Sequence, residues 1–443
     1  MWDGWGVWFC VEILFLTYFN IMKKYFIFAA AAIVAASCAK APAPVQTPDG
    51  PEAPAVEGKV AVQFGTNIIA NVETKAAVTG WDKQDLYIYG FQRIKNGDQT
   101  VIDYESLVDG ISKPFINNVM AKAPAALAQN EESPAGPNLS GTIEVKNGDE
   151  PFYYSGTTTY DFFGYYVQDA ATGPSALNKS KDAYELPITI DGTQDIMTAV
   201  ADHTYACDKA FGKDPGSNRP SGWNDNYAFS AYAARRGVNP YLVFKHELTQ
   251  LNFKVTSGTV FTTATQLHVT DVTIKAVPSK ATLCVAGATP GVTVDMTSSE
   301  TETNSIVDLK VKKSDDADLE PVKVPTATAS GEPSTIVAPD ADPVGQSIML
   351  FPAEEFEIWL TIAQGITEGH PTPTATEVIK RTINIRNITQ AVEPTLGKFG
   401  AGYAYDITFK VYGLESVDIT AELTKWQTGG SVVVDTDDTP TIF

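Results

Sequence analysis

The sequence is poor in positive charge, in cysteine and in histidine. Its 443 residues include 32 Lys and Arg against 53 Asp and Glu, which gives a formal net charge of -21. This sign argues against a protein that binds nucleic acid by neutralising phosphates. Four cysteines and four histidines are also too few to build a disulfide lattice or a set of metal clusters in so long a chain. We therefore expect no metal ion, no cofactor and no nucleic acid.

Charged residues make up only 19% of the chain, whereas hydrophobic residues make up 44%. An average soluble domain has about 25% charged residues. The composition thus indicates a folded protein rather than an acidic disordered one. At roughly 100–200 residues per domain, the length predicts two or three domains.

Motifs of the common enzyme classes are missing. The sequence has no G-x-S-x-G, H-E-x-x-H or G-x-x-x-x-G-K pattern and no dinucleotide-binding glycine fingerprint. The histidines are far apart, so no local metal site is expected; they are His203, His246, His268 and His370. His246 alternates with Leu242, Phe244 and Leu248, which favours a core histidine. We do not expect an enzyme.

Three other features each allow two interpretations. Cys207 and Cys284 either pair in an oxidising compartment or remain free thiols. The acidic groups at 315–320 and 435–438 offer oxygen ligands for Ca²⁺ but lack the spacing of a dedicated loop, so solvated surface is favoured. Trp223, beside residues 224–226, is either a sugar-binding corner or an aromatic packed on a turn.

The N-terminal region has the pattern of an export signal. Lys23 and Lys24 precede an apolar run from Tyr25 to Ala36, which ends at Ser37-Cys38. A cysteine at this point predicts a lipoprotein signal, with the Cys38 thiol receiving the lipid. The alternative is a plain signal peptide with an incidental cysteine. Residues 1–21 lie before the charged segment, which indicates a start chosen too early; the alternative is a marginal membrane span from Trp5 to Ile21.

The rest of the chain reads as a tether followed by strands. Residues 38–58 comprise the lipidated cysteine and a Pro-rich tether. Beyond Lys59, apolar residues alternate with period two between Gly, Asn, Asp and Pro clusters, which predicts many short strands. The clearest alternations are at 60–64, 86–88, 160–166, 242–248, 272–274, 358–362, 383–385, 405–411 and 417–423. Short helices are predicted at Pro124–Gln129 and Phe229–Arg236.

These patterns predict an all-β protein with two tandem β-sandwich domains. The stretch from Asp202 to Asn239 is rich in Gly and Pro and is predicted to be irregular, and one strong strand is predicted from Tyr241 to Val255. We therefore divide the chain into a mis-assigned start plus signal peptide at 1–37, the tether at 38–58, an N-terminal sandwich at 59–239 and a C-terminal sandwich at 240–443.

Several short segments, taken in order along the chain, form a recognisable set. They are Val62–Phe64 with Thr74–Ala76 and Trp81, Leu86–Gly90, Tyr160–Tyr166, Gln194–Met197, Phe244–Leu248 with Leu251–Val255, and Ala401–Tyr403 with Tyr405–Phe409 and Trp426. Each segment alone is weakly specific, whereas their order together with the lipoprotein signal is more so. In this order they resemble the fimbrillin family, the lipoprotein-derived subunits of type V pili (Mfa-like lipoproteins among them) in Bacteroidales bacteria.

The resemblance implies transthyretin-like sandwich domains and assembly by strand exchange. In the family, a protease cuts after a basic residue, the first strand leaves, and a strand of another subunit takes its place. Here the first strand is predicted at Lys59–Ile69 and the cut at Lys75, with Lys59 as runner-up; the alternative for Lys75 is an ordinary loop lysine. A lysine suits a trypsin-like or gingipain-like protease, but suits an Arg-specific one poorly.

The C-terminal segment offers a donor strand. Val432 and Val434 have strand spacing, and Ile442 and Phe443 follow an acidic patch, which is unusual for a solvated tail. The alternative is a last strand that pairs within its own domain.

The resemblance thus implies a fimbrial subunit precursor, anchored in the outer membrane through Cys38 and assembled with other pilin subunits into an adhesive surface fibre. Its host or bacterial ligand is not indicated. The alternative is a monomeric surface lipoprotein that binds glycans through aromatics such as Trp223.

Overall fold

Strands dominate the described part of the chain, as the period-two alternation predicts. The structure is a computed structural model, and it describes residues 53–69, 83–96, 99–101, 114–124, 140–168, 178–179, 183–212, 218–294, 306–313, 317–330, 335–367, 370–387 and 397–424. The protein is mostly β-strand with few helices, so the all-β prediction is confirmed. No helix in these ranges is long and apolar enough to cross a membrane.

The strands of the first half are β1 (Phe64–Ile69), β2 (Asp85–Gln92), β3 (Ile94–Asn96), β4 (Gln99–Val101), β5 (Ile116–Lys122), β6 (Ser140–Ile143), β7 (Lys146–Asn147), β8 (Glu150–Pro151), β9 (Tyr160–Val167), β10 (Asn178–Lys179), β11 (Ala183–Thr189), β12 (Ile196–Val200) and β13 (Tyr241–His246). The helices are α1 (His203–Phe211) and α2 (Ala231–Ala234), with 3-10 turns at Asp225–Tyr227 and Ile385–Asn387.

The strands of the second half are β14 (Thr249–Ser257), β15 (Leu267–Pro278), β16 (Lys280–Gly287), β17 (Gly291–Thr293), β18 (Ile306–Lys310), β19 (Val322–Lys323), β20 (Thr328–Ser330), β21 (Thr335–Val337), β22 (Asp342–Pro343), β23 (Ile348–Leu350), β24 (Glu355–Gln364), β25 (Ala375–Asn384), β26 (Ala404–Val411) and β27 (Val417–Thr424).

Two sheets enclose the first hydrophobic core. The seven-stranded first sheet has the order β5-β2-β9-β12-β13-β1-β6, and the four-stranded second sheet has the order β10-β11-β16-β17. Phe162 and Phe244 of the first sheet and Leu186 and Leu283 of the second all belong to this core. In β11, for example, Tyr184 and Leu186 are buried and Glu185 between them is not, because alternate side chains of a strand lie on the same face.

Two further sheets enclose a second core. The third sheet has the order β22-β14-β26-β27, with β23 also paired to β14, and the fourth has the order β18-β15-β24-β25, with β19 paired to β15. Phe253 and Ile407 of the third sheet and Ile358 and Leu360 of the fourth are buried together.

The two cores do not divide at residue 240. Strand β13 follows that residue but lies in the first sheet, and β16 lies in the second sheet. The predicted single strand Tyr241–Val255 is also wrong: it is broken after His246, and β14 belongs to the third sheet. The limit between the cores therefore falls after β13, with β16 returning to the first core. The division into two domains stays a prediction.

The prediction of an irregular Asp202–Asn239 stretch was wrong in one part. Asp202 caps α1, because its carboxylate accepts a hydrogen bond from the backbone N–H of Tyr205, and Gly212 follows the last turn. The predicted helix at Phe229–Arg236 is present as the shorter α2, capped by Ser230. The helix predicted at 124–129 lies outside the described residues, apart from Pro124.

Almost all described residues belong to one compact unit; the exceptions are Lys95, Asn96 and Gln99.

Candidate strand-acceptor site

Strand β1 lies between two other strands of the first sheet. On one side it pairs in parallel with β13, from Gly65 opposite Tyr241 to Ile69 opposite Lys245. On the other side it pairs antiparallel with β6. Both backbone edges of β1 are therefore hydrogen-bonded. We call the space that β1 fills between β13 and β6 the acceptor groove.

The inward side chains of this segment fill the floor of the acceptor groove. Val62, Phe64 and Thr66 are all buried, whereas Gln63 is exposed. The ring of Phe64 meets Phe162 edge-on at 5.1 Å. The hydroxyl of Thr66 donates to the carbonyl of Leu242 at 3.2 Å. Burying one Phe side chain is worth roughly 1.5–3 kcal/mol, so the segment is held by packing as well as by its ladders.

The chain before β1 is also attached to the fold. The N–H of Val62 donates to Phe152 at 2.8 Å, and the N–H of Tyr154 donates to Val60 at 3.0 Å. Ala53, within the predicted tether, is buried and donates to the carbonyl of Thr157 at 3.0 Å. The end of the tether therefore packs against the first core instead of standing free.

Most of the predicted site residues lie outside the described ranges. They are Cys38, Lys75, Val432, Val434, Ile442 and Phe443. Each stays a prediction. The runner-up Lys59 is described: its side chain is exposed, and its ammonium group lies 5.1 Å above the ring of Tyr153.

On the face of β1 opposite Phe64 and Thr66, an aromatic side chain covers Gly65. The ring of Tyr241 lies over Gly65. Tyr205 of α1 packs against Tyr241 with ring centroids 5.4 Å apart. Burial raises the pKa of Tyr241 above its ordinary value, which agrees with a phenol held against the protein. No local sequence pattern indicated this contact, because Gly65 and Tyr241 are far apart in the chain.

Histidine 246 is a core residue, as predicted. Its Nδ1 lies 2.8 Å from Oδ1 of Asp195, and both side chains are fully buried. The pair stands where β12 meets the end of β13, so it supports one wall of the acceptor groove. A second polar cluster joins Asp161 to His203 at 2.7 Å and to Arg93 at 3.2 Å.

Trp223 packs on a turn instead of projecting from the surface. Its ring lies 4.8 Å from Phe211 and 5.9 Å from Tyr232, and its Nε1–H donates to Asp225 at 2.8 Å. Asn224 caps the neighbouring 3-10 turn. Of the two interpretations of this cluster, the packed aromatic is the one that these contacts support.

The remaining candidates form no chemical centre within the described ranges. Cys207 and Cys284 are free thiols, and burial is the main cause that raises the pKa of Cys207 to about 12. Such a thiol is a poor nucleophile because little thiolate forms at neutral pH. Glu320 pairs with Lys313 at 2.7 Å. No group of three metal-ligating side chains occurs in the part of the chain that the structure describes.

Among known proteins, similarity to this chain was found only with solved structures. A scan against protein-family models and a search of curated proteins found no match. A proposed cell adhesion protein from Bacteroides uniformis is 16% identical, with 83% of this chain and 98% of that chain covered and a TM-score of 0.40.

Two further similar structures are fimbrial proteins. A fimbrial protein from Bacteroides vulgatus is 14% identical over 83% of this chain and 100% of its own, with a TM-score of 0.37. A fimbrilin from Porphyromonas gingivalis is 12% identical over 83% of this chain and 98% of its own, with a TM-score of 0.34. Both are fimbrial proteins, as is the family that the sequence resembles. Because the TM-scores are below 0.5 and the identities below 25%, function is argued below from the residues of this chain.

Proposed function

We propose that this chain is the precursor of a fimbrial subunit that polymerises by strand exchange. The observation that carries the proposal is the position of β1 between β13 and β6, with its inward side chains in the first core. Loss of this one segment would leave two strand edges and an apolar floor uncovered. A groove of that kind binds an added strand, because backbone hydrogen bonds supply affinity and pockets accept alternate side chains.

The segment would leave by proteolysis. A cut after Lys75 by a trypsin-like or gingipain-like protease separates β1 from the rest of the chain, and Lys59 is too early to do so because it precedes β1. The freed segment then dissociates only when another strand displaces it, since its two ladders and buried side chains hold it in place. The exchange would thus be driven by a competing strand.

The competing strand is proposed to be the C-terminal segment of another subunit. That segment carries Val432 and Val434 at the spacing of inward residues, and Ile442 and Phe443 at its end. Other pilin subunits are therefore the partners. The tandem sandwiches would have the transthyretin-like form that the family resemblance implies.

Export and anchoring complete the proposal. The chain would cross the inner membrane with its lipoprotein signal, receive lipid on Cys38 and reach the outer membrane and cell surface, where the fibre serves adhesion. Catalysis is not part of this function. The rival is a monomeric surface lipoprotein that binds glycans, and the packing of Trp223 speaks against that tryptophan as its binding platform.

Trypsin treatment of the lipid-free precursor tests the proposal. We expect a discrete clip, a new N-terminus at Ala76 and a ladder of multimers that resists mild denaturation. Lys75→Ala should prevent both the clip and the ladder, whereas Lys59→Ala should leave both unchanged. A precursor that stays monomeric after the clip, or forms the ladder equally well with Lys75→Ala, would count against the proposal.

A further inference from the structure

A glycine in β1 sits directly beneath a tyrosine ring. Gly65 pairs with Tyr241 across the parallel ladder, and its N–H donates to the carbonyl of Pro240 at 3.0 Å. A methyl group placed on Gly65 would lie 2.5 Å from Cε2 of Tyr241 and closer still to Cδ2. Real carbon atoms do not approach so closely. Any other residue at this position therefore requires the ring of Tyr241 to move.

The ring of Tyr241 also contacts a helix. Tyr205, on helix α1, packs against it at 5.4 Å, and the ammonium group of Lys209 lies 5.3 Å above the ring of Tyr205. Helix α1 is itself anchored by buried Ala206, Cys207 and Phe211. Moving the Tyr241 ring off Gly65 would therefore disturb the packing of a helix.

We propose that Tyr241 is a specificity-determining residue of the acceptor groove, which admits only a strand with glycine at the position of Gly65. The inference rests on the proposed function, since it concerns the strand that replaces β1. An incoming strand with a side chain at this position would have to displace the Tyr241 ring, and would compete poorly with β1.

The same constraint sets the register of the proposed donor from a second copy of this chain. Phe64 and Thr66 adjoin Gly65 and point into the core, so inward residues lie an odd number of positions from the glycine. Two glycines, Gly429 and Gly430, precede the proposed donor residues Val432 and Val434. Both valines lie at odd spacing from Gly429 and at even spacing from Gly430. Gly429 is therefore the residue assigned to the space beneath Tyr241.

The first test uses the intact precursor and needs no assembly. Gly65→Ala should lower the Tm by roughly 3–9 °C, because it overpacks the space beneath the ring. In the Tyr241→Ala background the same change should leave the Tm unchanged or raise it, since alanine also restricts the unfolded chain. The control is Gly413→Ala, because nothing lies within 4 Å of a Cβ at that glycine.

Equal losses of Tm from Gly65→Ala in both backgrounds would overturn the assignment of Tyr241. If Gly65→Ala yields no folded protein, recovery of folded protein on adding Tyr241→Ala supports the proposal, and failure to recover overturns it.

The second test examines the donor in trypsin-treated full-length precursor. Gly429→Ala should slow multimer formation by at least roughly tenfold. A tenfold slowing corresponds to an increase of about 1.4 kcal/mol in the activation free energy. Gly430→Ala should have little effect, and adding Tyr241→Ala to Gly429→Ala should restore the rate. Equal slowing by the two glycine variants would overturn the register. If the wild-type chain forms no multimers, the proposed function fails, while the precursor test still decides whether Tyr241 selects glycine.

Discussion

The imidazole Nδ1 of His246 lies 2.8 Å from Oδ1 of Asp195, with both side chains fully buried. Removing one member of such a pair leaves the other without its partner in the core. We expect Asp195→Ala to lower the free energy of unfolding by roughly 2–5 kcal/mol. Urea denaturation measures this directly.

A surface pair provides the control for Asp195. Glu144 lies 2.8 Å from Lys146, and both side chains are largely exposed. Glu144→Ala should leave the urea midpoint unchanged within error, because exposed ion pairs contribute little. If Asp195→Ala were as mild as Glu144→Ala, the buried pair would not support the wall of the acceptor groove.

Substitutions at two neighbouring residues of the first segment, Gln63 and Phe64, should differ strongly in their effect on stability. Phe64 is buried against Phe162, so Phe64→Ala should cost about 3–5 kcal/mol. Gln63 is exposed, and Gln63→Ala should change stability by less than about 0.5 kcal/mol. The trypsin-clipped Phe64→Ala protein should also release its first segment faster, which mass spectrometry of the soluble fragments would detect. Similar effects of the two variants would argue that the segment is not seated by its inward face.

Glu247 predicts a pH dependence. Burial is the main cause that raises its pKa in the folded protein above the ordinary value of 4.5, although the Thr198 hydroxyl donates to its carboxylate. A group with a raised folded-state pKa stabilises the protein below its unfolded pKa, and this contribution is lost as the pH rises through the folded value.

Glu247→Gln should therefore remove a decline in stability that begins near pH 4.5. The measurement is the difference in Tm between Glu247→Gln and wild type, followed from pH 4 to pH 8. The difference should shift in favour of the variant as the pH rises and then level off. A difference that is constant over this range would show that Glu247 titrates normally.

Substitutions of Trp223 distinguish the fimbrial proposal from the alternative of a glycan-binding lipoprotein. Its contacts with Phe211 and Tyr232 predict that Trp223→Ala loses roughly 2 kcal/mol or more, whereas Trp223→Phe loses less because an aromatic ring remains. Thermal unfolding and affinity electrophoresis with polysaccharides should be run on both variants. Unchanged stability together with lost polysaccharide binding in Trp223→Ala would favour the rival.

Cys38 predicts the location of the protein. Cys38→Ala should move it from the membrane fraction to the soluble fraction, because no thiol remains at the cleavage point to accept lipid. Ser37→Ala is a suitable control, since small residues are accepted before the cleavage point. Continued membrane association of Cys38→Ala would contradict the lipoprotein signal.

Much of the strand content was predictable from apolar residues that alternate along the chain. In β11 the burial follows this alternation, with Tyr184, Leu186 and Ile188 buried, whereas in β9 all residues from Phe162 to Tyr166 are buried. The spacing of apolar residues cannot show, however, where the chain passes from one sheet to another. The chain leaves the first sheet after His246 and enters the third at Thr249, and the apolar pattern continues through the break.

Helix α1 and the Tyr241 contact were not predicted, for different reasons. Helix α1 has only 9 residues, so the helical spacing of Ala206, Cys207 and Phe211 is too short to stand out, and only the capping Asp202 and the following Gly212 marked its ends. The need for glycine at position 65 becomes apparent only when the distant strand β13 is placed beside β1. The sequence did locate the first strand, although the ladder with β13 begins at Gly65 and not at Lys59.

The pairing of β1 with β13 also bears on the order in which the chain folds during its synthesis. Thr66 and Leu242, which share a hydrogen bond, are 176 positions apart. A chain that emerges N-terminus first exposes Phe64 long before β13 arrives to pair with it, and contacts of such long range form late. The acceptor groove therefore forms only once β13 has been made, when β1 is already present to fill it, and until then one edge of β1 stays unpaired and open to strands of neighbouring chains.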